Sequence, residues 1–215
     1  MLSKFFYYAT TFLEGGLAVF GLRLAEEPAY TVRDHVGQVE IRSYGPRVAV
    51  ETTGEGDREA ASRAAFERLF AYIAGANARS ETVAMTAPVQ QAAPRGPAGE
   101  DGRLIAMTAP VQTVASGEGL TMRFFLPASV AQSGAPNPDD PRVRLVSVPA
   151  ETLAAYRFSG PLDEAARTSA TRGLTEALAS SRWAPQGAPS VYGYDPPFTI
   201  PFLRRNEVVV PVVPR

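Results

Sequence analysis

Apolar positions follow two different periods along this chain, and the switches between them outline its elements. From Tyr30 to Ile41 they alternate loosely, with Tyr30, Val32, Val36, Val39 and Ile41 set among Arg33, Asp34, Gln38 and Glu40. A period of two predicts a half-buried strand, and Gly37 marks a bend or bulge in it. Tyr44-Gly45-Pro46 is a turn, and the β-branched run from Arg47 to Thr53 predicts a second strand. The period then changes. Phe66, Leu69, Phe70 and Ile73 fall at i, i+3, i+4 and i+7, which is one apolar stripe along a helix. Asp57 suits the N-cap of that helix, which is expected to run to about Ala74 and stop at Gly75.

One phrase is written twice, as Val83-Ala84-Met85-Thr86-Ala87-Pro88-Val89-Gln90 and as Ile105-Ala106-Met107-Thr108-Ala109-Pro110-Val111-Gln112. Each copy is a β-prone run broken by a proline. Proline cannot donate to a ladder, so each is expected as an edge strand or as a strand ending at its Pro. The Ala-, Pro- and Gly-rich span 91–103 between them has no apolar periodicity and reads as a flexible loop. Leu120 to Leu126 predicts a strand closed by Pro127, and Gln132 to Pro141 a polar loop. Val143–Val148 and Leu153–Phe158 are two further strands. Pro161 suits the first turn of a second helix, with Leu162, Ala166, Ala170, Leu174, Ala177 and Leu178 along one side. Trp183-Ala184-Pro185 is expected to end it, and Ser190–Tyr194 and Glu207–Val212 are the last strands. Strands followed by a helix, then the same again, predict one α+β domain built as an internal pseudo-repeat around a shared core.

Ahead of this body, Phe5–Leu13 and Gly16–Leu24 make an apolar stretch approaching the ~20 residues that a membrane-spanning helix needs. Glu14 near its middle opposes insertion by roughly 2.5–3.5 kcal/mol. Lys4 followed by Phe5, Phe6, Tyr7 and Tyr8 has the composition of an interfacial belt. Residues 1–27 are therefore expected to form an apolar helix acting as a membrane anchor, with residues 28–215 as a tethered body. An interfacial helix, or a helix packed on the protein, are the other readings.

Composition narrows the chemistry. Apolar residues at 45% and charged residues at 20% are ordinary globular usage, and 215 residues suffice for one good core. The formal net charge is −1 and the densest basic pair in the body is Arg204-Arg205, which argues against a nucleic-acid partner. With no cysteine and His35 as the single histidine, thiolate catalysis, Cys-ligated metals, two-histidine metal sites and an internal His relay are all excluded. Residue chemistry alone leaves room for a small-molecule hydrolase or isomerase using Glu40 or Glu51 as general base. A peptide- or protein-interaction module is a further, weaker alternative.

Several phrases of the body go together: Val39-Glu40-Ile41-Arg42-Ser43-Tyr44-Gly45-Pro46, Tyr72-Ile73-Ala74-Gly75-Ala76-Asn77, and Met-Thr-Ala-Pro-Val at 85–89. They continue as Arg123-Phe124-Phe125-Leu126-Pro127, Pro136-Asn137-Pro138-Asp139-Asp140-Pro141, Tyr194-Asp195-Pro196-Pro197-Phe198-Thr199 and Arg204-Arg205-Asn206-Glu207-Val208. In these the chain resembles the SOUL/heme-binding protein family, over roughly Ala29 to Val212. The resemblance implies a distorted eight-stranded antiparallel β-barrel with two helices, built from a duplicated half. It also implies non-enzymatic binding of heme or another tetrapyrrole, as carrier, buffer or sensor, in a shallow apolar cleft beside the first helix. Some relatives place a histidine, proposed as axial ligand, where Ser43 stands here, and a hydroxyl is a poor ligand for heme iron. His35 does not match that position. Other relatives bind through the first helix, at positions that become Arg63, Phe66, Phe70 and Ala71. By that resemblance Arg63 would pair with a propionate and Phe66 and Phe70 would lie against the macrocycle, while Ala71 replaces a second cation. Met85, Met107 and His35 are further candidates for ligand contact, each explained equally by packing or surface hydrogen bonding.

Overall fold

The structure, a computed structural model, describes residues 25–78, 105–106, 108–116, 119–196 and 198–215. The apolar stretch 1–24, the first copy of the repeated phrase and Met107 lie outside the described residues. Strands β1 (Tyr30–Val36), β2 (Val39–Tyr44) and β3 (Arg47–Gly54) lead into helix α1 (Arg58–Ile73). Next come β4 (Val111–Ser116), β5 (Gly119–Phe125), a short helix α2 (Ala128–Ser133), β6 (Arg144–Val148) and β7 (Glu151–Phe158). Helix α3 (Glu164–Ala179) follows, then β8 (Trp183–Pro185), β9 (Ser190–Gly193) and β10 (Asn206–Pro214).

All strand pairings are antiparallel, in the order β1-β2-β7-β10-β9-β4-β5-β3-β6, with β8 on the far end of β10. The fold is thus α+β with one large antiparallel sheet. Its end strands β1 and β6 do not pair with each other among the described residues, so this hydrogen-bonded path is open. Among the described residues ten strands stand where eight were expected. One extra strand arises at Gly37, whose φ of +60° lets Gly37-Gln38 form a two-residue turn between Val36 and Val39. The 30–44 region is therefore a hairpin, and its irregularity falls between Val32 and Asp34, not at the glycine. The other is β8: Trp183–Pro185 pairs with Val212–Pro214 instead of merely ending the helix.

The second repeated phrase departs from expectation as well. Val111 opens β4 directly after Pro110, and β4 lies between β9 and β5, so the proline precedes an interior strand. Its missing N–H falls outside the ladder, which is what makes it tolerable there. Helix α3 begins at Glu164 and not at Pro161, because Asp163 is its cap and accepts from the Ala166 amide at 2.8 Å. Helix α2 was not foreseen; Val130, fully buried, fastens it to the core.

Alternation along the strands divides the core into layers. Leu120, Met122 and Phe124 of β5 meet Ala61, Ala65, Leu69, Tyr72 and Ile73 of α1. Val208, Val210 and Val212 of β10 meet Ala170, Leu174 and Leu178 of α3. On the other face, Phe125, Tyr192, Val209, Leu153 and Tyr44 form a third cluster. The sheet curls around that cluster, so that Arg47 lies over both Tyr44 and Phe125, at 4.4 and 4.6 Å from their ring centres.

Candidate functional site

Strand register decides where the two long helices sit. Directly opposed residues share a face of the sheet, and Met122 opposes Thr113, which opposes Val191, which opposes Val208. Met122 faces α1 and Val208 faces α3. Both helices therefore lie on one face, with a groove of about 400 Å³ between them. Its floor is Thr113, Leu120 and Val191 from β4, β5 and β9, and Leu162 closes one side.

Charge gathers at the rim. Arg58 and Ser62 come from α1, Asp163 and Arg167 from the start of α3. The aspartates at the two helix starts are occupied as caps: Asp57 accepts from the Glu59 and Ala60 amides at 3.1 and 3.0 Å, and Asp163 from Ala166. Glu59, also on the rim, holds Arg63 at 3.0 Å. That leaves Arg58 without an ion pair among the described residues, and Arg167 donating only to the Leu162 carbonyl at 3.4 Å. Burial, followed by the nearby charge of Arg58, pushes the Arg167 guanidinium below its ordinary pKa.

The expected site residues continue along the same margin of α1. Glu59, Ser62, Phe66 and Phe70 follow one another at steps of three and four, so they run down one side of the helix. Phe66 and Phe70 are half-buried, stacked with ring centres 6.1 Å apart and 13° between planes, and Phe66 meets Phe124 edge-on at 5.4 Å. Arg63 is solvent-exposed in its pair with Glu59. The structure thus aligns Arg63, Phe66 and Phe70, but it rests the two phenylalanines on the core beside the groove and not in its wall. Arg58 and Arg167 were missed by sequence reasoning. Each follows a capping aspartate closely, yet nothing local indicates that the two helix starts meet.

A family model described as SOUL heme-binding protein matches residues 25–211. The chain belongs to the SOUL family. No curated protein sequence matches it. Among solved structures, the SOUL chain is similar to the EcmrR C-terminal domain, with a TM-score of 0.53 and 13% identity, covering 83% of this chain and 98% of that one. It is also similar to an uncharacterized conserved protein from Listeria innocua, with a TM-score of 0.51 and 15% identity over 82% and 92% of the two chains. EcmrR in a DNA complex gives 0.53 and 12% identity over 83% of this chain and 58% of that one. At such identities the likeness shows the fold.

Within this SOUL domain, the positions considered for iron lie away from the groove. Ser43 is on β2 and the exposed His35 on β1, and β7 and β10 separate that hairpin from β9. Among the described residues no cluster of His, Cys, Asp and Glu can hold a metal ion. The two carboxylates considered as general bases are both ion-paired: Glu40 with Arg42 at 2.8 Å, and Glu51 with Arg144 at 2.8 Å and with Arg123. Arg205 of the basic pair is also structural, bonded to Glu27 and Glu207 and lying 3.8 Å over the Tyr194 ring.

Proposed function

We propose that this SOUL-family chain binds heme or another tetrapyrrole, without catalysing a reaction on it, as a carrier, buffer or sensor. The seat is the groove between α1 and α3, with Arg63, Phe66 and Phe70 continuing it along the helix margin. One observation carries this reading: Arg58 and Arg167 stand over an apolar floor with no ion pair among the described residues. Tetrapyrroles combine a flat apolar ring with acidic side arms, and guanidinium–carboxylate hydrogen bonds are among the stronger ones in water. Arg63 can exchange its exposed Glu59 partner for a ligand carboxylate at little cost, because surface pairs of this kind contribute only about 0.3–0.5 kcal/mol. The groove fits the acidic arms and not the iron. Among the described residues no His, Cys, Met or Tyr lines it.

Titrating the full chain with hemin, with metal-free protoporphyrin and with the protoporphyrin dimethyl ester tests this. Hemin and free porphyrin should each saturate at one equivalent with a shifted Soret band. The ester should bind at least about tenfold more weakly, since a charged hydrogen bond contributes about 1.5–3 kcal/mol. Absorbance that rises without saturation for all three ligands would refute the assignment. Phe66→Leu and Phe70→Leu should weaken the free porphyrin while preserving helix content in circular dichroism.

A further inference from the structure

The register places four strand ends together. Asn206 opposes both Phe158 and Gly193, and Gly193 opposes Val111, so β7 and β9 finish where β4 and β10 begin. The N-terminal chain reaches the same end. Glu26 bridges to Thr108, just before β4, and Glu27 is 3.1 Å from Arg205, just before β10. The 195–205 connection projects from there too. Its described residues are tied down: the Arg205 amide donates to Asp195 Oδ2 at 2.6 Å, the Gly160 amide to the Pro201 carbonyl at 3.0 Å, and Thr199 is buried. Yet Phe198 is 43% exposed and Phe202 72% exposed, with Leu162 of the adjoining turn exposed beside them. A loop held this firmly, presenting aromatic rings outward, is built to meet an apolar phase.

We propose that Phe198 and Phe202 dip into the interface of a lipid bilayer, at the end of the molecule where the apolar stretch 5–24 joins the body. The length and position of that stretch single out a bilayer as the occupant. It ends one residue before Ala25, so whatever apolar phase receives it lies at this end of the sheet. Phenylalanine on the apolar side of an interfacial element buries its ring at the boundary between headgroups and acyl chains. Three carboxylates at this end are engaged: Glu26 accepts from the Ala128 amide, Glu27 pairs with Arg205, and Asp195 accepts from the Arg205 amide. Arg157, exposed one residue from the end of β7, adds positive charge at the same edge.

The chain contains no cysteine, so a single introduced one reports cleanly. Full-length Phe202→Cys, and Glu55→Cys at the opposite end of the sheet, would each carry an environment-sensitive fluorophore. They would be mixed with vesicles of phosphatidylcholine and phosphatidylglycerol, with and without doxyl-labelled lipid. The label at 202 should shift to the blue and be quenched by shallow doxyl groups, and the label at 55 should do neither. Emission at 202 unchanged by vesicles would overturn the proposal, whether or not the chain sediments with them. A blue shift that grows with protein concentration in the absence of lipid would also overturn it, because a second copy would then be what covers the loop.

Discussion

Glu207 is fully buried, yet it sits at the centre of a charged cluster. Arg42 reaches it through Nη1 and Nη2 at 2.7 and 3.1 Å, Arg205 through Nε at 3.0 Å, and the Tyr194 hydroxyl donates at 2.8 Å. Burial alone would raise the Glu207 carboxyl, but the Arg42 hydrogen bond and charge, with Arg205 and Tyr194, hold it below the ordinary glutamate value. Arg42 responds in kind: burial opposes its charge, and Glu207 nonetheless raises its pKa. Because the carboxyl binds its proton less tightly when folded, its contribution is complete above the ordinary value of 4.5 and is lost as pH falls below that. Urea-unfolding free energy should therefore decline from pH 4.5 downward, and Glu207→Gln should flatten that decline. The same substitution should cost up to about 3–5 kcal/mol at neutral pH, since it removes the fully buried carboxylate that Arg42 and Arg205 share and leaves them only the more exposed Glu40 and Glu27. An unchanged acid slope in the variant would show that the cluster is not the titrating unit. The sequence places Arg205 two residues before Glu207. Arg42, 165 positions away, carried no such signal.

Helix α1 was legible because its determinants are local. Asp57 caps it, the apolar stripe repeats at helical spacing, and Gly75 follows its end with a φ of +109°. Its seat on the sheet depends on something less visible. A Cβ at Gly54 would run into the backbone carbonyl of Ala61, and one at Gly119 into the carbonyl of Gly54. Neither obstacle is a flexible side chain: Gly54 is what lets α1 approach β3, and Gly119 lets β5 lie close against the end of β3. Gly54→Ala should lower stability by roughly 1–3 kcal/mol, the usual scale of overpacking, and displace α1. Gly45→Ala, with nothing within 4 Å of the added carbon, should leave the melting temperature unchanged. If both variants melt alike, the close approach is not what positions the helix. Elements that the pattern misjudged were those set by distant partners. Gly37-Gln38 lacks the Asn-Gly signature of a tight hairpin, and Trp183–Pro185 is a strand only because Val212–Pro214 lies alongside.

At the scale of the whole molecule, the strand order creates the site. Strands β9 and β4 lie between β10, beneath α3, and β5, beneath α1, and the gap over them is the groove. The stripe carrying Phe66 and Phe70 could be read from helical spacing, and Arg63 from the family resemblance, whereas the meeting of Arg58 with Arg167 is a consequence of long-range pairing alone. That meeting makes a prediction whose two halves have opposite signs. Like charges facing each other cost stability in the free protein, as the lowered pKa of Arg167 reflects after burial itself. Replacing both by Gln should therefore leave the ligand-free melting temperature unchanged or raise it. A ligand that binds only the folded state stabilises it by about 2.7 kcal/mol at a hundredfold excess over Kd. If the guanidiniums hold the acidic arms of a porphyrin, the double variant should lose most of the porphyrin-induced rise in melting temperature. A structural role for the two arginines would give the reverse: a destabilised free protein whose porphyrin response is intact. Differential scanning fluorimetry of both proteins, with and without metal-free porphyrin, separates a groove built for binding from one left over by folding.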